Sequence, residues 1–225
     1  GVNISIHPSK YQLLCQANFL SADGKCKSFG EGGEGYVPGE GVGAVILKSL
    51  SEALKDGDHI YAVIRGISVN HVGKTNGYSV PNPKAESELV IDVLRKTQIP
   101  ARSVSYIEAH STGTFLGDLI EISGLNRAFG EFTQERGFCS IGSVKSNIGH
   151  LESAAGIASL TKVILQMKNR QLVPSIHSEK SNPVIKFENT PFYIQKELSE
   201  WKKPCIYENG SLITYPRRAG ISAFG

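Results

Sequence analysis

The hydrophobic residues of the chain follow two periods in turn, one typical of strands and one typical of helices. Short runs of β-branched and small apolar residues predict strands at 1–6, 42–47, 59–68, 104–109, 139–144 and 218–224. Apolar residues at helical spacing predict helices at 11–18, 50–55, 83–97, 117–129 and 153–168. Strands that alternate with helices indicate an α/β fold, in which helices pack on a sheet.

Two of the predicted helices have recognisable start signals. Ser49 and Glu52 have the spacing of a capping box, in which a serine hydroxyl and a carboxylate each bind a backbone amide. Asn82-Pro83 places a capping side chain directly before a proline at the first helical position. The polar segment 70–81 predicts a loop, and 174–193 predicts a loop with short extended pieces.

Composition and charge exclude several classes of function. The chain has 24 basic and 21 acidic residues, a formal charge of +3, and no basic cluster interleaved with aromatic residues, so we expect no nucleic-acid partner. No run of about 18 apolar residues occurs, so we expect no membrane span. The four cysteines show neither CxxC spacing nor a disulfide framework. These features predict a cytoplasmic protein.

Residues 29–43 are rich in glycine, and Gly30-x-Gly32-x-x-Gly35 satisfies the dinucleotide-binding fingerprint. That fingerprint requires a preceding strand and a following helix, and the pattern predicts neither here. We therefore interpret the segment as a tight loop that leads into the strand at 42–47.

Two histidines follow predicted buried strands. His150 lies between the strand 139–144 and a helix rich in small residues, and His110 directly follows the strand 104–109. Alone, either residue would most simply be a hydrogen-bonded core histidine. Together, two histidines at strand ends indicate a functional constellation.

The motifs around these histidines resemble a known family. EAHSTGT at 108–114, LGDLIE at 116–121 and GSVKSNIGHLESAAGI at 142–157 are similar to the C-terminal half of β-ketoacyl synthases, most closely to the ketosynthase domain of modular polyketide synthases. The resemblance implies a thiolase-like layered α/β/α/β/α fold, here mainly its C-terminal half with a mixed sheet. It further implies that residues 1–58 are the tail end of the N-terminal ketosynthase half and that 59–225 are the C-terminal half, truncated at its C-terminus.

The resemblance also implies an activity and partners. Ketosynthases catalyse decarboxylative Claisen condensation of an acyl chain with a malonyl group, and both substrates are carried on the phosphopantetheine of an acyl carrier protein. No cofactor is expected to bind the chain itself. The complete domain is expected to be a homodimer and to include the N-terminal ketosynthase half, either in the same chain or as a separate one.

The chemistry explains why two histidines would be needed. Loss of carbon dioxide from a malonyl thioester leaves an enolate, and two neutral imidazoles can donate N–H hydrogen bonds to its oxygen. Burial in apolar surroundings lowers a histidine pKa and so keeps the ring neutral. The resemblance assigns these roles to His110 and His150, and it assigns electrostatic support to Lys145, which could otherwise be a solvated turn lysine.

Three further residues are implied to bind substrate. Thr112 and Thr114 match positions that hydrogen-bond the phosphopantetheine arm, although threonines also commonly cap turns. Phe224 matches the first aromatic residue of a gating loop, and a core phenylalanine would be the alternative.

Two residues depart from the family pattern. Ser111 occupies a usual glycine position, where a positive φ would be strained for serine, and Leu119 replaces a common proline.

The family's nucleophilic cysteine has no counterpart. Cys15 matches a helix position outside the active site and Cys139 matches a strand position, and neither has the base or helix N-terminus that activates a thiol. We therefore expect a fragment, inactive alone, with apolar surface where the other half would pack. The alternative is a catalytically incomplete half-domain that binds acyl chain and carrier and needs a partner chain to supply the cysteine.

A metal hydrolase is a further alternative, since His110, Asp118, Glu121 and His150 are all potential ligands. No HExxH spacing supports it, because no second histidine lies four residues from His150. We therefore expect no metal ligands among these residues.

Overall fold

The computed structural model describes residues 1–73, 75, 82–208 and 210–224. Its helices are α1 (Ser9–Gln16), α2 (Leu50–Asp56), α3 (Pro83–Thr97), α4 (Phe115–Gly130), α5 (Lys145–Ile148) and α6 (Ala155–Asn169). Its strands are β1 (Val2–Asn3), β2 (Gly41–Val42), β3 (Tyr106–Glu108), β4 (Cys139–Gly142), β5 (Gln171–Leu172), β6 (Phe192–Ile194), β7 (Ser199–Glu200), β8 (Cys205–Glu208), β9 (Ser211–Thr214) and β10 (Ala219–Ile221).

A four-stranded sheet in the order β10-β3-β4-β6 forms the centre of the fold. All three of its strand pairs are parallel, with Tyr106 opposite Ser140 and Ile107 opposite Ile141. The sequence predicted a mixed sheet, and in this respect the prediction was wrong. Long segments that contain helices α4 and α6 separate the paired strands in sequence, and such connections let neighbouring strands run in the same direction.

Helices cover both faces of this sheet, as the sequence predicts for an α/β fold. Adjacent strand residues point to opposite faces. Ile107 and Ile141 therefore pack with α3 and α4 in a large apolar core that includes Leu94, Ile122, Leu125, Phe129 and Phe192. Tyr106 faces the other way and packs with Val163 of α6, Leu172 and Trp201.

The predicted helix starts at residues 49 and 82 are confirmed. The Ser49 hydroxyl accepts a hydrogen bond from the Glu52 amide at the start of α2. The Asn82 side chain accepts hydrogen bonds from the Lys84 and Ala85 amides at the start of α3.

Helix α6 differs from its prediction in the face that it buries. A 3₁₀ turn, Glu152–Ala154, precedes it, and its buried side includes the polar residues Ser159, Lys162 and Gln166. Leu165 is 50% exposed on the same helix. The apolar pattern located the helix but did not reveal this buried polar stripe.

The strands predicted near the N-terminus are short or not formed. The predictions at 1–6 and 42–47 reduce to β1 and β2, a two-residue antiparallel pair. The strand predicted at 59–68 was wrong, because in the described part of the chain this segment forms no ladder with a neighbour. A strand needs a hydrogen-bonding partner as well as the right residues.

Two elements arise where the sequence predicted a loop or a turn: strand β6 lies partly in the predicted loop 174–193, and α5 replaces a predicted turn. Strands β8 and β9 form an antiparallel hairpin in a segment where no element was predicted from the sequence. The predicted loop 70–81 lies mostly outside the described residues. Within the residues that the structure describes, no helix combines the length and the apolar character needed to cross a bilayer.

Candidate active site

The two histidines meet at the carboxyl edge of the parallel sheet. His110 lies two residues beyond the end of β3, and Lys145 and His150 follow β4, its neighbour in the sheet. Parallel neighbours end at the same edge, so their following residues converge. The His110 and His150 ring centroids are 5.3 Å apart, and the ring planes lie at 83° to each other.

The glycine-rich segment holds the backbone of His150. The His150 amide donates a hydrogen bond to the Val37 carbonyl at 2.7 Å, and the Gly39 amide donates to the His150 carbonyl at 2.9 Å. The Tyr36 ring packs against the His150 ring with centroids 5.1 Å apart. The segment that resembled a nucleotide loop therefore forms one wall of the histidine site.

Backbone amides fix which nitrogen of each imidazole carries the proton. The Glu152 amide donates to Nδ1 of His150 at 2.9 Å, and the Phe224 amide donates to Nδ1 of His110 at 3.1 Å. A neutral imidazole whose Nδ1 accepts a hydrogen bond carries its proton on Nε2. Each ring, when neutral, therefore presents an Nε2–H donor.

Both rings are kept neutral by their surroundings. Burial lowers the pKa of His150 to about 4, and the Lys145 charge contributes in the same direction. Burial also holds the pKa of His110 well below its usual range, with smaller contributions from Lys145 and His150. At neutral pH the site therefore contains two hydrogen-bond donors without a charge on either ring.

Lys145 brings the positive charge of the site. Its side chain is 1% exposed, in the first turn of α5. Burial lowers the pKa of Lys145, while the charges of Glu121 and Glu108 oppose that change. These buried carboxylates stabilise the charged form of the ammonium group.

Two carboxylates of α4 hold the backbone of the loop that carries His110. Glu121 accepts hydrogen bonds from the His110 and Ser111 amides, each at 2.8 Å. Asp118 accepts from the Phe29 amide at 2.6 Å and from the Gly113 amide at 3.3 Å. Burial raises the pKa of Glu121 to about 7 and that of Asp118 to about 6, and these hydrogen bonds limit both rises.

The sequence considered Asp118 and Glu121 only as metal ligands, so their backbone-binding role was missed. The available signal was a pair of carboxylates three residues apart inside an apolar helix, where acidic side chains require a partner. Within the described ranges, no group of three or more His, Cys, Asp and Glu side chains is arranged to hold a metal ion.

The predicted substrate-binding residues surround His110. The Thr112 and Thr114 hydroxyls lie 3.3 Å apart, half-buried in the loop after β3. The Phe224 ring packs against His110 with centroids 5.0 Å apart. The expected strain at Ser111 is not found, because the positive φ of this loop, +80°, falls on Gly113.

The cysteines of the chain are not activated at this site. Burial raises the pKa of Cys26, although the Val37 amide and the Lys145 charge oppose the rise, and burial raises that of Cys139 well above its usual value. Cys15 and Cys205 are exposed. The sequence did not single out Cys26, whose pKa the Lys145 charge acts to lower.

Family models match most of the chain. Residues 61–179 match the model described as "Beta-ketoacyl synthase, C-terminal domain", and residues 1–53 match "Beta-ketoacyl synthase, N-terminal domain". Among curated proteins, polyketide synthase PksL of Bacillus subtilis (strain 168) is 60% identical over 225 residues, which are 100% of this chain and 5% of that protein.

Solved ketosynthase structures superimpose on the whole chain. A ketosynthase from module 6 of the bacillaene synthase of Bacillus subtilis 168 has a TM-score of 0.93 at 44% identity. The oxazolomycin ketosynthase domain OzmH KS7 of Streptomyces albus JA3453 has a TM-score of 0.95 at 50% identity. Each alignment covers 100% of this chain and 39% of the solved chain.

Proposed function

Because the chain belongs to the β-ketoacyl synthase family, we propose that it provides the enolate-stabilising half of a polyketide-synthase ketosynthase. The observation that carries this proposal is the pair of neutral imidazoles, 5.3 Å apart, each with Nδ1 occupied by a backbone amide. The proposed reaction is decarboxylative Claisen condensation of an acyl thioester with a malonyl group on an acyl carrier protein.

The first step requires a site for negative charge on oxygen. The bond between the malonyl α-carbon and its carboxylate breaks, carbon dioxide leaves, and the electron pair remains as an enolate of the thioester. The Nε2–H groups of His110 and His150 donate hydrogen bonds to this enolate oxygen. Fixed donors in a site with little water stabilise such charge more strongly than solvent does.

The second step forms the carbon–carbon bond. The enolate carbon attacks the acyl thioester carbonyl, the C–S bond breaks, and the electron pair leaves as a thiolate. Neither histidine has to accept a proton in these two steps, so neutral rings suit both. The buried Lys145 ammonium favours the anionic intermediates through its charge.

Substrate contacts are proposed on the same loop. We propose that the Thr112 and Thr114 hydroxyls bind the amides of a phosphopantetheine arm that delivers the malonyl group. Phe224 covers one face of His110 and would shield the enolate from water. The partners in this proposal are the acyl carrier protein, a ketosynthase segment that bears the acylated cysteine, and a second copy of the complete domain.

A second candidate is an incomplete half-domain that binds carrier and acyl chain but does no chemistry alone. The state of the cysteines favours it as a description of the isolated chain. Acyl transfer needs a thiolate, and burial raises the pKa of both Cys26 and Cys139. The two candidates differ in whether the chain can be acylated without a partner.

The test measures acylation and decarboxylation together. We expect no acyl adduct by mass spectrometry when the chain alone is treated with an acyl thioester. With a co-expressed ketosynthase segment that carries the cysteine, we expect acylation and release of carbon dioxide from malonyl carrier protein. His150→Ala should lower that release by about two to three orders of magnitude, because one fixed donor is lost.

His59→Ala is the matched control, since His59 is an exposed histidine outside the site, and it should retain the full rate. Equal rates for His150→Ala and the unmodified complex would contradict the enolate role. An acyl adduct on Cys15, Cys26 or Cys139 of the isolated chain would show that the chain needs no partner cysteine.

A further inference from the structure

Glu108 is a fully buried carboxylate beneath the histidine site. It is the last residue of β3, two residues before His110, and its exposure is 0%. Its Oε1 accepts a hydrogen bond from the Val144 amide at 2.6 Å, directly before Lys145. Its Oε2 accepts from the Tyr106 hydroxyl, also at 2.6 Å. One carboxylate thus joins strand β3 to the turn that carries Lys145.

Lys162 reaches the same carboxylate from helix α6. Its Nζ lies 2.9 Å from Oε2 of Glu108, and the two side chains are 8% and 0% exposed. The contact is an ion pair without hydrogen-bond geometry, and within the described residues no hydrogen-bond acceptor for this Nζ is found. The polar stripe of α6 therefore includes a charge directed at the end of β3.

A buried ion pair contributes little net stability, because removing two charges from water offsets most of their attraction. Breaking it from one side is costly, because the remaining charge stays buried and unpaired. Its clearer effect is geometric. Glu108 contacts groups from β3, from the Val144–Lys145 turn and from α6, and it can satisfy all of them only in one arrangement.

We infer that Glu108 and Lys162 are positioning residues, which hold the Lys145 turn and the His110 loop in register for the chemistry without touching substrate. This inference rests on the proposed function. The backbone around Glu108 supports it, since the Glu108 carbonyl accepts from the Ser222 amide at 3.0 Å, two residues before Phe224. Phe224 in turn fixes Nδ1 of His110.

The expected effect follows from how strictly such sites depend on geometry. A displacement of about 1 Å at a reacting group can lower a rate about 100-fold. In the complete ketosynthase, Glu108→Gln and Lys162→Met should each lower kcat for malonyl decarboxylation by about 10- to 100-fold. KM should stay within about twofold, because neither residue contacts substrate.

The double variant separates positioning from a simple loss of charge. Glu108→Gln with Lys162→Met leaves no unpaired charge, and the glutamine oxygen can still accept from the Val144 amide. We expect it to recover most of the lost kcat. Lys168→Met, at an exposed lysine in the last turn of α6, is the matched control and should retain the full rate.

A second readout does not depend on activity. The ring nitrogen resonances of His110 and His150, followed by NMR, should shift in both single variants and return in the double variant. If the unmodified enzyme releases no carbon dioxide, the proposed function fails, whereas these resonances still decide the positioning role. If a charge variant does not fold, Tyr106→Phe takes its place in the test. It removes one hydrogen-bond donor to Glu108 and no charge, so it should lower kcat and shift the histidine resonances in the same direction but by less.

The inference is overturned if the single variants lower the melting temperature but leave kcat per folded molecule and the histidine resonances unchanged. It is also overturned if the double variant is no better than the worse single variant. Either result would make the ion pair a packing feature only.

Discussion

Two regions of the chain contain similar apolar residues but differ in how far these residues are buried. They are the histidine-bearing region, residues 101–200, and the N-terminal region, residues 1–69. In the first, strands β3 and β4 lie inside a parallel sheet and are fully buried, with Ile141 of β4 at 0% exposed. Phe129 of α4, which packs on this sheet, is 1% exposed. In the second, comparable residues stay at the surface. Among them are Ile6 at 91%, Ile46 at 98%, Ile67 at 78% and Val69 at 86%.

The difference shows what a hydrophobic pattern does and does not specify. Both regions carry the residue types of strands. In the described structure, however, the N-terminal region forms only the two-residue pair of β1 and β2, whereas the histidine-bearing region contributes three strands to the central sheet. Single exposed apolar residues are common on proteins, whereas many on one region mark a surface suited to contact. The two regions meet where the glycine-rich segment pairs with His150.

The largest expected contrast is in stability. Phe129→Ala should lower the free energy of unfolding by about 3 to 5 kcal/mol, because it empties a core site beside Phe138 and Phe192. Ile46→Ala should change it by less than about 0.5 kcal/mol, since that side chain is already exposed. Denaturant unfolding measures both, and similar losses for the two variants would remove the distinction between the regions.

A smaller effect is expected where the two regions touch. A Cβ on Gly33 would lie 2.3 Å from the Gly113 carbonyl oxygen, closer than two such atoms can approach. Gly33→Ala should therefore separate the glycine-rich segment from the His110 loop and lower the free energy of unfolding by about 1 to 3 kcal/mol.

Gly130→Ala is the matched control, because a Cβ at that position has no atom within 4 Å. It should be neutral or slightly stabilising, as alanine favours a helix. A Gly33→Ala protein as stable as the control would show that the segment does not pack closely on the loop.

The smallest effect concerns a buried carboxyl of α3, the helix that packs with α4 of the histidine-bearing region. Burial raises the pKa of Glu86 to about 8, and the charge of Glu121 adds to the rise. The folded state therefore holds a proton that the unfolded state releases above about pH 4.5, and the stability from this group is lost as pH rises towards 8. Glu86→Gln removes that titration.

We expect Glu86→Gln to be more stable than the unmodified protein at pH 8, by on the order of 1 to 2 kcal/mol, and equally stable near pH 4.5. Denaturant unfolding at the two pH values measures this difference. A pH-independent difference would mean that Glu86 does not titrate as its burial indicates.

The sequence predicted the fold best where local signals agreed. Helix α3 has a cap, a proline at its first position and an apolar stripe, and it was predicted with the observed ends. The segment 59–68 has a composition typical of strands, but it pairs with no neighbour among the described residues. No local pattern reveals whether a pairing neighbour is available. Strand β6 has three residues and α5 has four, and elements so short show no period.

The site was predictable in its side chains and not in its backbone contacts. His110, His150 and Lys145 follow neighbouring strands of one sheet, so their convergence could be expected. The amides of Glu152 and Phe224 act through main-chain position, and Phe224 is 114 residues from His110. Glu108 is an acidic residue at the end of a strand that the sequence predicts to be buried. That unusual position was the available signal that its carboxylate has buried partners.

In the proposed reaction, the backbone amides on both Nδ1 atoms would make the two histidines fixed hydrogen-bond donors rather than carriers of protons. A general base must be emptied of its proton after each turnover, and its readiness depends on the supply of acid and base around it. Rings whose Nδ1 is occupied and whose charge is suppressed need no such resetting. The proposed reaction would therefore leave both histidines in the protonation state in which it found them.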